Sequence, residues 1–126
     1  MKKIVNTDNA PEAIGPYSQA VIANGMVFCS GQIALDPESG HLLGPIVETQ
    51  TRQVMQNLKS VLEAAGSGLD KVVKTTIFLS DMGDFGKVNE IYGAYFSENP
   101  PARETVAVKT LPKNALVEIS CMALVD

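Results

Sequence analysis

Residues 116–125 read Leu-Val-Glu-Ile-Ser-Cys-Met-Ala-Leu-Val, and a strand of that composition is apolar on both sides. Side chains alternate along a strand, so Val117, Ile119, Cys121, Ala123 and Val125 share one face. Leu116, Met122 and Leu124 share the other. The run 71–80 (KVVKTTIFLS) is also rich in β-branched residues, with Val73, Ile77 and Leu79 set against Val72 and Phe78. Only two helices are legible in the chain. Helices pack about 10 Å apart and strands about 4.8 Å apart, so two helices cover one face of a sheet of about six strands. An apolar second face with no helix over it has to meet another chain. The expectation is an oligomer in which sheets pack face to face.

The other elements follow from period and punctuation. Lys2 to Val5 is a short first strand, and 18–23 and 26–30 are extended runs on either side of Asn24-Gly25. Asn-Gly favours a type I′ turn, because both central residues need φ > 0. A two-residue loop makes paired positions sum to 49, placing Ser18 opposite Gly31 and Tyr17 beside Gln32. After a Pro/Gly-rich loop, Val47, Thr51, Val54, Met55, Leu58, Val61, Leu62 and Ala65 form one helical stripe. Glu48 falls in its first turn, and Gly66-Ser67-Gly68 stops it. Asp81, reinforced by Asp84, is expected to cap a second helix with the stripe Phe85, Val88, Tyr92, Tyr95 and Phe96. Pro100-Pro101 ends that helix, and strands near 103–109 and 116–125 flank the turn-like Leu111-Pro112-Lys113-Asn114. The order is βββ-α-β-α-ββ.

At 126 residues the chain is one domain, 1–126. Ten Lys+Arg against 14 Asp+Glu give a net charge of −4. Nucleic-acid binding draws its affinity from neutralised phosphates, so this balance counts against nucleic acid as the principal ligand. No run approaches the ~18 apolar residues of a membrane span, and the N-terminus has no apolar signal region. Cys29 and Cys121 sit far apart inside apolar runs, as small hydrophobes do. The expected location is cytosolic.

Few residues offer chemistry. His41 is the single histidine, in a Ser-Gly-His loop, so one chain cannot build a His-based metal cluster. Phosphate-binding, dinucleotide-binding, nucleophile-elbow and zinc-deaminase motifs are all missing. Ser30 has no accompanying base. What stands out is polar residues within apolar strands. Glu118 lies in the final apolar run, where an unpaired carboxylate is costly to bury; the ordinary reading is an edge-strand Glu or one paired to Lys. Arg103 opens a strand after Pro-Pro-Ala and can grip a carboxylate with two parallel hydrogen bonds; the ordinary reading is an exposed cation. Asn89 falls beside the stripe of the second helix, and Tyr17 follows Gly15-Pro16.

The segments Ala-Ile-Gly-Pro-Tyr-Ser-Gln-Ala (13–20), Ser-Gly-Gln-Ile (30–33), Asn57-Leu-Lys with Glu63-Ala-Ala-Gly66, Val73-Lys-Thr-Thr-Ile-Phe78, Pro101-Ala-Arg103 and Leu111-Pro-Lys-Asn-Ala-Leu-Val-Glu-Ile119 together resemble the reactive intermediate deaminase A (RidA, formerly YjgF) family, end to end. The resemblance implies a chorismate-mutase-like α+β fold and a homotrimer whose sheets form a central barrel, with sites between subunits. It implies hydrolysis of 2-imino or 2-amino-enoic acids to 2-oxo acids and ammonia, without cofactor or metal. Matched position by position, Arg103 is the carboxylate anchor and Glu118 handles water. Tyr17, which follows the family's Gly-Pro, joins them in the catalytic set, while Ser30, Gly31, Asn89 and Thr105 form the substrate-binding set. Thr105 stands where the family has a reactive cysteine, and Glu104 stands where it has serine. Alternation should point Glu104 away from Arg103. Two other readings stay open: a regulatory trimer that binds carboxylates without turnover, and the ribonuclease or translation-inhibitor activity attributed to some relatives.

Overall fold

The computed structural model describes residues 1–125, and its elements keep the expected order. They are β1 (Lys3–Val5), β2 (Ala20–Ala23), β3 (Met26–Gln32), α1 (Val47–Ala64), β4 (Val72–Leu79), α2 (Phe85–Tyr95), β5 (Ala102–Ala107) and β6 (Val117–Leu124). The strands form one mixed sheet in the order β1-β2-β3-β6-β4-β5. Only β4 and β5 run parallel, because α2 lies between them in the chain and supplies the crossover that parallel strands require.

The Asn24-Gly25 turn has the positive φ its sequence demands, 51° and 72°. It sets the pairs Ala20↔Cys29, Val21↔Phe28 and Ile22↔Val27, all summing to 49 as expected. The ladder ends sooner than the apolar run does. Beyond Ala20, a single bond from Ser30 N–H to the Gln19 carbonyl (3.0 Å) carries the pairing on.

Every residue of the expected α1 stripe is buried, and Gly66, at φ 80°, ends the helix. Two polar residues share that buried face. Gln50 accepts from Leu116 N–H (2.9 Å) and donates to the Gly44 carbonyl (3.0 Å). Asn57 donates to the carbonyls of Ile33 (3.2 Å) and Leu35 (3.0 Å). The helix thereby fixes the loop after β3 and the entry to β6. Truncating the fully buried Leu58 at the centre of this stripe would cost about 2–5 kcal/mol.

Two local expectations are corrected. Val72, not Val73, lies on the buried face with Thr75, Ile77 and Leu79, while Val73 is exposed. The cause is a bulge: β4 advances from Val72 to Lys74 while its partner β6 advances only from Ala123 to Met122. An extra residue reverses the alternation on one side of it. Asp81 does cap, accepting from Gly83 N–H (2.8 Å), but it caps a short 3₁₀ turn at Met82–Asp84. The α-helix starts one turn later, at Phe85.

Both helices cover the face carrying Val27, Cys29, Ile77, Ile119 and Cys121. On the other face Phe28, Val106, Met122 and Leu124 are each more than 40% exposed, so in one chain an apolar surface stands open. Cys29 and Cys121 are direct register partners, both free and buried. Contact with Cys29, together with burial, pushes the Cys121 thiol upward, so Cys121 stays protonated in the core. No helix among the described residues is long and apolar enough to cross a membrane.

Candidate active site

Arg103 sits near the start of β5, an edge strand, with Thr75 of β4 as its register partner. Its side chain turns toward α2. There Phe85, Asn89 and Tyr92, spaced i, i+4 and i+7, meet the guanidinium together. Nη1 donates to Asn89 Oδ1 (2.7 Å), and the guanidinium carbon lies 5.5 Å from the Phe85 ring centre and 5.1 Å from that of Tyr92. Tyr92 is itself fixed, since its hydroxyl shares a buried 2.7 Å hydrogen bond with Thr75 Oγ1. Burial pushes the Tyr92 phenol above its usual range, so the ring stays neutral beneath the cation. The arginine is exposed yet held, and a planar ligand can still reach its outer edge.

Thr105 lies two residues along β5, on the same face as Arg103. Its Oγ1 is buried and has no hydrogen-bond partner. Glu104, between them, points to the opposite face as alternation requires. It accepts from Thr76 and pairs with Lys74 Nζ at 3.0 Å; these two contacts hold its carboxyl below the usual carboxylate range. It therefore leaves Arg103 unneutralised.

Glu118 belongs to β6 and faces the open side beside Phe78. It is half-buried, and burial raises its carboxyl above the ordinary range. No side-chain hydrogen bond or ion pair to it occurs among the described residues, so the paired-to-lysine reading does not hold. Its carboxylate rests on the backbone of Gly31, where an added Cβ would meet Oε2 at 2.3 Å. Only glycine leaves that carboxylate in place. The register shift between Cys29 and Gln32 brings the Ser30-Gly31 backbone to this position. Ser30 Oγ donates to the Ser18 carbonyl (2.6 Å), which ties the Tyr17 segment alongside. Tyr17 stays 55% exposed above Gly15, with its N–H donating to the Gly15 carbonyl (2.9 Å).

Seven sequence-derived candidates thus fall into two groups. Arg103, Asn89 and Thr105 gather beside α2; Glu118, Gly31, Ser30 and Tyr17 gather around the β2–β3 end. Register puts the two key groups on opposite faces: Arg103 shares the face of buried Thr75, whereas Glu118 shares that of Phe78. One chain does not bring them together. A cleft of about 1140 Å³ passes Tyr17 and Ser18 but is lined by Asp8, Glu12, Asp36, Glu38 and Glu63 with no basic residue. It is unsuited to an anion. His41 is exposed in its loop, and no group of three His, Cys, Asp or Glu among the described residues is placed to hold a metal. The residues that sequence reasoning missed are Thr75 and the ring roles of Phe85 and Tyr92.

The family model for "Endoribonuclease L-PSP" matches residues 7–125. The mouse protein named 2-iminobutanoate/2-iminopropanoate deaminase is 47% identical over 124 residues, covering 98% of this chain and 92% of that one. A crystal structure of a Yersinia pestis protein assigned to the conserved Rid family superposes with a TM-score of 0.97 at 50% identity, covering 99% of this chain and 100% of that one. The structure of E. coli TdcF with bound serine has a TM-score of 0.93 at 38% identity and covers 98% and 99% of the two chains. With a matching model across nearly its whole length and close relatives of the same fold, this chain belongs to the Rid (YjgF/RidA) family.

Proposed function

We propose that this chain, acting as a single domain in the cytosol, hydrolyses 2-iminopropanoate, 2-iminobutanoate and their enamine tautomers to 2-oxo acids and ammonia. The observation that carries the reading is the pairing of an unneutralised, ring-held Arg103 with an unpartnered, half-buried Glu118 whose carboxyl is raised by its surroundings. The name of the mouse relative and the amino acid in TdcF agree with a small ligand bearing a carboxylate. The "endoribonuclease" description of the family finds little support in a chain of net charge −4 with one histidine.

The chemistry asks little beyond these residues. A protonated imine is electrophilic at C2. Arg103 binds the carboxylate in two parallel bonds, aided by a Gly31 N–H, the orphaned Thr105 hydroxyl and Asn89. Ionised Glu118 takes a proton from water as its oxygen bonds to C2, forming a tetrahedral amino-alcohol. Glu118 then returns that proton to nitrogen; as the C–N bond breaks, the hydroxyl gives its own proton to the again ionised Glu118 and becomes the carbonyl, and that proton leaves with ammonia as ammonium. A carboxyl raised by burial is suited to both directions of transfer. Ser30 ties the Gly31 backbone to the Ser18 carbonyl, and Tyr17, next to Ser18 in the chain, offers an exposed hydroxyl. Because Arg103 and Glu118 face opposite sides of one sheet, the site is built from two chains of a homotrimer, whose contact also covers Phe28, Met122 and Leu124.

The test is a coupled reaction in which threonine dehydratase releases its enamine and 2-oxobutanoate is followed. Adding the protein should accelerate its appearance, and an unchanged rate would contradict the proposal. A finer check is Gly31→Ala. The clash falls on the movable end of Glu118, so folding should survive with a melting temperature within a few degrees of the parent. Displacing the carboxylate by about 1 Å should nevertheless lower turnover by roughly 10²-fold.

A further inference from the structure

We infer that Tyr92, with Phe85, is a positioning residue for carboxylate recognition: the two rings of α2 hold the Arg103 guanidinium in the orientation that a substrate carboxylate needs. The inference rests on the proposed role of Arg103 as anchor.

An arginine on an exposed edge strand ordinarily samples many rotamers, and each ligand-binding event must freeze them. Here three contacts from one helical stripe remove that freedom beforehand. The Phe85 and Tyr92 rings stand within 5.5 Å of the guanidinium carbon, and Asn89 takes one Nη1 proton at 2.7 Å. A cation close to two ring centres is attracted by both faces.

The Tyr92 ring cannot drift. Its hydroxyl is bonded to Thr75, the residue paired with Arg103 across the β4–β5 ladder, so strand, ring and guanidinium share one frame. Tyr92 is only 4% exposed and also packs on Phe96 with ring centres 4.8 Å apart. Asn89 occupies one donor, leaving the remaining guanidinium edge for ligand. In this arrangement Tyr92 lies against the guanidinium and is almost closed to solvent. It acts on binding rather than on the chemical step.

The test measures 2-oxobutanoate affinity by calorimetry, and KM and kcat in the coupled reaction, for the parent, Tyr92→Leu, Tyr92→Phe and Phe85→Leu. Losing the ring in Tyr92→Leu should raise both Kd and KM about 5- to 10-fold with kcat within about twofold. Tyr92→Phe keeps the ring but frees it from Thr75, so Kd and KM should rise about two- to threefold, clearly less than in Tyr92→Leu, with kcat within about twofold. Phe85→Leu should weaken Kd about threefold, and it carries the test if Tyr92→Leu fails to fold. A parent-like Kd in Tyr92→Leu overturns the inference; where that variant does not fold, a parent-like Kd in Phe85→Leu does so. It is also overturned if Tyr92→Phe is as impaired as Tyr92→Leu, or if kcat falls while KM holds. A parent protein that binds 2-oxobutanoate but turns over no imine defeats the deaminase reading alone, since the Kd series still decides the role of Tyr92. A parent with no affinity for 2-oxobutanoate defeats the inference as well.

Discussion

Glu118→Gln is expected to bind 2-oxobutanoate at least as tightly as the parent while losing about 10²–10⁴ of its imine turnover. The two effects have opposite origins. A carboxylate in the site repels an anionic ligand, so a neutral amide of nearly the same shape should relieve that repulsion. The same change removes the group that takes the proton from water. The pH dependence follows from the raised carboxyl of Glu118. A carboxyl whose pKa is higher folded than unfolded binds protons more tightly in the folded state, so its contribution to stability is present at low pH and lost as pH rises through the folded value. Glu118→Gln should therefore be no less stable than the parent at pH 7 and most nearly equal to it at acid pH, in thermal melts across that range. Retained turnover would reduce Glu118 to a structural residue and favour a binding protein over an enzyme.

Arg103→Ala should lower kcat/KM by roughly 10²–10⁴, the value of two charge-assisted hydrogen bonds to a carboxylate. The fold should survive, because Arg103 is exposed and its ring contacts are each worth about 0.5–1 kcal/mol at such a site. Arg103→Lys should recover little of the loss. An ammonium can sit near the rings, but it cannot offer two parallel donors while a third binds Asn89. The quantities to compare are kcat/KM and 2-oxobutanoate affinity. Parent-like values for Arg103→Ala would remove the anchor from the account.

Local chemistry made some of this architecture legible. Asn24-Gly25 admits one turn type, and a two-residue loop leaves no freedom in register, so the β2–β3 pairs followed directly. The opposed directions of Arg103 and Glu104 followed from alternation alone. Alternation failed where an extra residue entered: nothing in Val72-Val73 announces a bulge, since either valine suits either face. The cradle for Arg103 was hidden for a related reason. Phe85 and Tyr92 keep the spacing of a core stripe, and an aromatic ring serves a core and a cation equally well. Asn89, polar on the same stripe as those rings, was the available signal. Gln50 and Asn57 carried a similar one, seven residues apart beside the α1 stripe, each answering backbone groups of loops that sequence does not place. Within one chain Arg103 and Glu118 do not come together, because register sends them to opposite faces.

That separation supplies the most direct test of the central claim, a site shared by two chains. Arg103→Ala and Glu118→Gln proteins, each inactive alone, are to be unfolded, mixed in equal amounts and refolded, with light scattering used to confirm assemblies of three chains. In a cyclic trimer each site takes its arginine from one subunit and its glutamate from the next, so random mixing restores about one site in four. The account predicts recovery of about a quarter of the parent activity. Mixed trimers as inactive as either variant alone would contradict it.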